Sequence, residues 1–357
     1  MNAPTPERLL FRTGRLSDLP QIERIAAASA IGIGSLPPDR ERLYDKLRMS
    51  SHAFGAEVDV SGEEIYFFVL EDLQTGQLMG TSGIAASAGF GDRFYSYRNE
   101  LIVHASAELG EANKIHTLHL CHDLTGASLL TSFYIDPALE SGPWPQLLSR
   151  ARLLFMAEHP QRFASRLAAE SPGPCDAAGH SPFWAAVGQR FFGIDYTQAE
   201  RLAGGRSKSF IAELMPQYPI YVPLLPPDAQ LAIGQLHESA ELPFKILLDE
   251  GFEADTYVDL FDAGPTVEAP LTQLRSLRHN RRLRVARGAD EGANGNGLPC
   301  LIANTLTQAF RATLARLSLP TSDEQDLALP LELLELLELS VGDEVRVVPL
   351  QPEGSPS

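Results

Sequence analysis

At 357 residues the chain is long enough for two domains, or for one large α/β domain with an appendage. Hydrophobic residues make up 44% and charged residues 21%, while a formal net charge of −17 argues against non-specific binding to nucleic acid or an anionic membrane, which needs a basic surface. An acidic protein can still carry a local basic pocket for a small anion. Cys121, Cys175 and Cys300 are scattered and odd in number, so neither a disulfide framework nor a CxxC metal site is suggested. The first residues lack a long apolar stretch, and no window approaches the ~20 apolar residues of a membrane span. A reduced, cytoplasmic protein is the expectation.

Residues 9–13 (LLFRT) read as a short strand, and Ser17-Asp18 as the cap of a helix over 19–28 with Leu19, Ile22, Ile25 and Ala26 on one face. Residues 32–38 form a turn, after which Asp39 caps a second helix reaching about Met49. IYFFVL (65–70) is a strongly apolar strand, paired through the Thr75-Gly76 turn with an antiparallel partner over 78–88. Residues 101–105 and 116–121 read as two further strands.

The stretch from Asp123 to Met156 organises the chain. Residues 128–135 (SLLTSFYI) are dense in β-branched and aromatic residues and closed by Asp136-Pro137, which marks a central strand. Residues 147–156 place Leu147, Leu148, Ala151, Leu154 and Phe155 at helical spacing, with Arg150 and Arg152 off that face. A strand feeding a helix through a short turn can offer free N–H groups to a pyrophosphate. Here that turn reads Gly142-Pro143-Trp144-Pro145: two prolines each remove a donor and Trp144 fills the space, so it is a poor anion cradle.

Further on, 163–170 suggests a strand, 182–192 a helix capped by Ser181 with Phe183, Trp184, Val187 and Phe191 inward, and 197–203 a short helix ended by Gly204-Gly205. Short helices are expected at 208–214 and 227–233, and a longer one over 242–250 stopped by Gly251. Residues 256–269 hold two strands around Asp262-Ala263-Gly264-Pro265. The composition then changes. Residues 275–287 are arginine-rich, reading as a solvated or interdomain face, and 288–297 are rich in Gly and Asn, so 275–297 is taken as a linker. Strand-like runs over 300–319, a leucine-rich helix from 329 and a strand over 344–348 suggest a small, β-barrel-like domain over 298–350, with 351–357 as a tail.

His237 lies in a polar loop (GQLHES), where an imidazole can give or take a proton near neutral pH; a satisfied surface histidine fits the local sequence as well. Glu170 ends a predicted strand before a Pro/Gly break, as a cleft carboxylate or a solvated one. His104, His116, His119 and His122 show no metal-ligand spacing, and Ser128 and Ser132 lack a nucleophile elbow.

Several of these stretches together resemble the arginine N-succinyltransferase family over nearly the whole chain. They include Ser35-Leu36-Pro37, FFVLED (67–72), LIVHAS (101–106), SPFW (181–184), AELMPQYPIY (212–221), GQLH (234–237), EGF (250–252) and YVDLFDAGPT (257–266). NKIH (113–116), LCHDLTGASLLTSFY (120–134) and YPIYVPLLP (218–226) are similar to the alpha subunits of the two-subunit arginine/ornithine succinyltransferases. The resemblance implies an α/β fold of GNAT acyltransferase type over 1–274, in which a V-shaped sheet splays to admit the pantetheine arm. It implies succinyl transfer from succinyl-CoA, as co-substrate, to the α-amino group of arginine or ornithine, with no metal and no resident cofactor. His237 aligns with the proton donor and Phe133 with the acyl-CoA-contacting position, through its backbone; Glu170 is carried beside them as a candidate catalytic carboxylate. Single-subunit relatives carry Gly-x-Gly where this chain has Pro143-Trp144-Pro145. Two readings follow: a catalytic subunit working with a homologous beta subunit, or a structural or regulatory subunit with a degenerate CoA site.

Overall fold

In a computed structural model of the protein the described residues are 9–29, 35–106, 108, 110–203, 214–288, 297–321 and 325–351. Residues 32–34 of the predicted turn, Gly204-Gly205, most of the 208–214 helix, most of the Gly/Asn-rich stretch and nearly all of the tail lie outside them.

The chain opens on β1 (Leu9–Thr13), buried at every position. Helices α1 (Leu19–Ala28) and α2 (Arg40–Gly55) follow, then the hairpin of β2 (Ile65–Asp72) and β3 (Gln77–Ala85). Asp39 caps α2 as expected, accepting from the Arg42 N–H at 3.0 Å, but the helix runs six residues past Met49. Asp18 differs from its expected part. Its carboxylate does not cap α1; it accepts from the Arg15 N–H and forms a bidentate, buried pair with Arg12 at 2.8 and 3.0 Å.

The two strands expected near 101–121 are one long hairpin, β4 (Ser96–Ser106) with β5 (Glu111–Cys121). Next come β6 (Ser128–Ile135), α3 (Trp144–Glu158) and β7 (Arg166–Glu170). The expected helix over 182–192 is broken at Val187 into α4 (Pro182–Ala186) and α5 (Gly188–Phe192), which turns Phe191 outward and stacks Phe192 on Trp184 instead. After α6 (Tyr196–Ala203) and β8 (Ile220–Tyr221), helices α7 (Pro227–Ala232) and α8 (Glu241–Glu250) lead into β9 (Glu253–Val258) and β10 (Pro265–Pro270). Gly251 ends α8 in the left-handed conformation, φ 101°, its N–H returning to the last carbonyls.

The arginine-rich stretch is built into α9 (Arg275–His279) and β11 (Arg281–Arg287). The remaining elements are β12 (Leu298–Asn304), β13 (Arg311–Leu317), β14 (Asp326–Leu329), α10 (Leu331–Leu336) and β15 (Glu344–Pro349). These strands do not close into a barrel among the described residues. They extend one sheet of order β14-β11-β15-β12-β13-β1-β2-β3-β6-β7-β10-β9-β4-β5-β8, joined through β13 and β1. The C-terminal part still has its own apolar core, including Leu283, Ile302, Leu317 and Leu333. Only β6–β7 and β11–β14 pair in parallel among the described strands. No described helix is long and apolar enough to cross a membrane.

Helix α3 is buried nearly all round, because β-strands and α8, α9 and β15 cover it on several sides. Phe155 sits in a cluster of edge-on or tilted rings with Phe54, Tyr66, Phe68, Phe163 and Phe310, at centroid distances of 5.1–5.9 Å. Such ring pairs add about 0.5–1.5 kcal/mol each beyond their burial. Arg150 and Arg152, expected off the apolar face, are both buried. The Arg150 guanidinium meets Glu250 at 2.7 Å and donates to the Leu350 carbonyl at 2.7 Å; Glu250 also faces Arg275 and accepts from the N–H and hydroxyl of Ser276. One carboxylate thus ties α3, α8 and α9 together and, through Arg150, the end of β15. Removing one partner of a buried pair strands the other charge. Glu250→Ala is expected to cost about 3–5 kcal/mol in urea unfolding, against less than about 0.5 for Glu253→Ala on the surface.

Candidate active site

The parallel neighbours β6 and β7 pair at Ser128–Leu167, Leu129–Ala168 and Leu130–Ala169, and then part. Beyond that point β6 stays with β3, while β7 stays with β10. The β3 register slips at the same place, so that Ser82 faces both Ser132 and Phe133: a β-bulge. Ser132 takes up the extra residue at φ 56°, a left-handed conformation that costs a non-glycine residue about 1 kcal/mol or more. Its N–H donates to Ser35 Oγ at 2.9 Å and its carbonyl accepts from Thr81 Oγ1 at 2.9 Å, which holds the bulge in place. A cavity of about 810 Å³ opens where the strands part, lined by Thr131, Ser132 and Phe133 on one side and Glu170, Ser171 and Pro172 on the other.

Among its charged lining residues, which also include Glu63, Glu64, Asp92, Arg93, Glu140 and Glu200, two cations stand on the β6 side and three carboxylates on the β7 side. On the β6 side, Lys46 of α2 donates through Nζ to Ser132 Oγ at 2.6 Å and to the Ser35 carbonyl, and burial pushes its ammonium down to about 8. Arg152 of α3, 2% exposed, donates to the Ser149 and Gly83 carbonyls and to Ser149 Oγ, and lies 5.9 Å from the Phe133 ring centroid. Burial pushes it down to about 9. On the β7 side, Glu170, Asp259 and Asp262 line the cavity. Asp262 accepts from Tyr196 Oη at 3.0 Å and the Gly264 N–H at 2.8 Å; burial, and then the charge of Asp259, push its carboxyl up to about 6. A site so arranged can receive an anionic group and a cationic one at different walls.

This geometry can be set beside known proteins. A family model described as arginine N-succinyltransferase beta subunit matches residues 9–276, and one for the C-terminal domain of the same subunit matches residues 281–349. The chain belongs to the arginine N-succinyltransferase family. It is 50% identical over 340 residues to arginine N-succinyltransferase subunit alpha of Pseudomonas aeruginosa, covering 95% of this chain and 99% of that one. It is 37% identical over 345 residues to arginine N-succinyltransferase of Escherichia coli, covering 97% and 98%. The solved structure of arginine/ornithine succinyltransferase subunit AI from Pseudomonas aeruginosa superposes with a TM-score of 0.87 at 47% identity, over 97% of this chain and 99% of that one.

Within this succinyltransferase fold, two of the three residues singled out from the sequence, Phe133 and Glu170, line the cavity. His237 itself is not among the lining residues. It is anchored to the wall by its backbone, whose N–H donates to the Pro172 carbonyl at 2.8 Å, and by its ring, whose Nδ1 meets Ser239 Oγ at 2.8 Å; Pro172 and Ser239 both line the cavity. Because Nδ1 also accepts from the Ser239 N–H, at 3.3 Å, the neutral imidazole carries its proton on Nε2. At the turn before α3, the Trp144 indole lies against Gly142, where a Cβ would come within 3.0 Å of it, and is buried in the main apolar core. The shortage of donors stands, because Pro143 and Pro145 have none and the Gln146 and Leu147 N–H groups return to the Pro143 carbonyl. Ser128 is structural, bridging the Ala86 carbonyl and the Ala164 N–H. Among the described residues no cluster of three or more His, Cys, Asp or Glu side chains is placed to hold a metal.

Sequence reading missed Lys46, Arg152 and Asp262. Lys46 and Arg152 look like ordinary polar positions of amphipathic helices, and only the packing of α2 and α3 turns them to the cavity. Asp262 did carry a signal, the Asp-Ala-Gly-Pro turn. There the chain crosses the loop after β7 so closely that a Cβ on Gly264 would lie 2.2 Å from the Ser171 carbonyl oxygen. Gly264→Ala is therefore expected to destabilise by about 1–3 kcal/mol or more in thermal or urea unfolding, and to displace the wall that carries Glu170.

Proposed function

We propose that this chain transfers the succinyl group of succinyl-CoA to the α-amino group of arginine, as the alpha subunit of an enzyme completed by a homologous beta subunit. The observation that carries the reading is the cavity at the β6/β7 divergence. It joins the Phe133 bulge, a histidine loop and opposed basic and acidic walls in one space large enough for a thioester arm and an amino-acid acceptor. Succinyl-CoA is a co-substrate, and the nucleophile is the acceptor amine itself.

In this reading the backbone at Phe133 holds the acyl thioester in the gap left by β7. The α-ammonium of arginine gives a proton to Glu170 and attacks the thioester carbonyl as the free amine. A C–N bond forms, and collapse of the tetrahedral intermediate breaks the C–S bond. His237, as the imidazolium, delivers its Nε2 proton to the departing sulfur, and the proton lost by the new amide nitrogen recharges the ring. The Ser239 contact at Nδ1 orients the ring for this step.

Two features argue against a purely structural or regulatory subunit: His237 keeps its orienting partner, and the cavity is open and charged. Pro143 and Pro145 bear on the partner instead, since a helix start poor in donors grips a pyrophosphate weakly. The test is CoA release from succinyl-CoA with arginine, and with ornithine as competing acceptor, by the purified chain alone and with its co-expressed homologue. Activity is expected to be strongest in the pair. His237→Ala in the assembled enzyme is expected to lower kcat by about a hundredfold or more, and unchanged turnover would remove the catalytic role.

A further inference from the structure

A buried guanidinium without a carboxylate is costly, and proteins ordinarily pair it, as this chain pairs Arg150 with Glu250 two residues earlier on the same helix. Arg152 has no such partner among the described residues. Its described bonds, to the Ser149 and Gly83 carbonyls and to Ser149 Oγ, take one N–H from each of its three nitrogens and leave one on each terminal nitrogen. Lys46 repeats the pattern. Its ammonium is bonded to two neutral oxygens and faces no acid among the described residues. Both residues line the same cavity and flank the same bulge, Lys46 at Ser132 Oγ and Arg152 over the Phe133 ring.

Two uncompensated cations beside one cavity call for an anion from outside the chain. The position argues against the diphosphate of CoA, which would sit at the start of α3, because Arg152 lies eight residues along that helix from Trp144, about 12 Å further on at 1.5 Å per residue. What reaches the bulge is the acyl end of the thioester.

We propose that Arg152 and Lys46 bind the free carboxylate of the succinyl group and so select a dicarboxylic acyl donor over a neutral one. The inference rests on the proposed thioester site, not on the identity of the acceptor. Arg152 supplies the N–H left on its terminal nitrogens, and Lys46 its third ammonium proton. Neutral acyl chains of the same length would leave both cations desolvated and unpaired, which is a penalty as well as a lost contact.

The test compares binding of succinyl-CoA and butyryl-CoA, which share a four-carbon acyl chain and differ by carboxylate against methyl, by calorimetry without acceptor. The protein is used as the purified chain and as the assembly with its co-expressed homologue. The native protein is expected to prefer succinyl-CoA by roughly tenfold or more. Arg152→Met and Lys46→Met are each expected to weaken succinyl-CoA roughly ten- to a hundredfold while leaving butyryl-CoA within about twofold. Lys46→Met, at a partly buried helical position, and Arg152→Lys, which keeps the charge and part of the preference, carry the comparison if Arg152→Met does not fold. Equal affinity of the native protein for both thioesters, equal losses for both in the variants, or no binding of succinyl-CoA by either form would overturn the proposal. Intact discrimination with no transfer to arginine would instead overturn the proposed acceptor and support this assignment.

Discussion

The separation of β6 from β7 after Leu130 and Ala169 is the constraint on which the rest of the site depends. Two parallel strands in mid-sheet would ordinarily stay paired along their length, since every unpaired N–H and C=O in a buried place costs free energy. Here the ladder ends while each strand keeps its neighbour on the other edge, β3 for β6 and β10 for β7, and the edges that part border the cavity. The bulge at Ser132 bends one arm. The close crossing of Gly173 and Gly264 fixes the other, with the Ser171 N–H donating to the Pro265 carbonyl. The opening is therefore a property of the sheet itself, and what lines it comes from whichever helices and loops pack there.

Helix α3 illustrates how burial divides labour between like residues. Arg150 and Arg152 are both buried, yet the first lies against Glu250 and holds the C-terminal strands to the body of the protein, while the second faces the cavity with neutral oxygens only. A paired buried charge is structure; an unpaired one beside a cavity waits for a ligand. On the far side Asp262 is held by Tyr196 and its own turn, with its charge opposed by burial and by Asp259, so that wall favours a cation. Opposed walls of this kind orient an anionic donor and a cationic acceptor before any chemistry begins.

Much of the fold was legible in the residues. The strand over 128–135, the hairpin at Thr75-Gly76, the Asp39 cap and the Gly251 stop follow from local stereochemistry, and each forms where it was expected. Expectations went wrong where a competing partner or a break in the backbone overrides the local pattern. Asp18 has cap chemistry but is claimed by Arg12, six residues earlier on the chain's first strand. The C-terminal strands have the spacing of a small closed unit, yet β13 finds the free edge of β1 and extends the sheet instead. Phe191 follows helical spacing, but the break at Val187 rotates it outward.

By itself the sequence determined the elements, the family and two of the cavity-lining residues, Phe133 and Glu170, along with the His237 loop that braces the wall. These depend on short-range propensity and on motifs that lie within a few residues of one another. Only the tertiary structure decided where β6 and β7 part, that the Trp144 indole joins the core, and that Lys46 and Arg152 face one cavity without a carboxylate between them. Whether a charge is paired or left for a ligand depends on which residues far along the chain approach it, and that information exists only once the chain has folded.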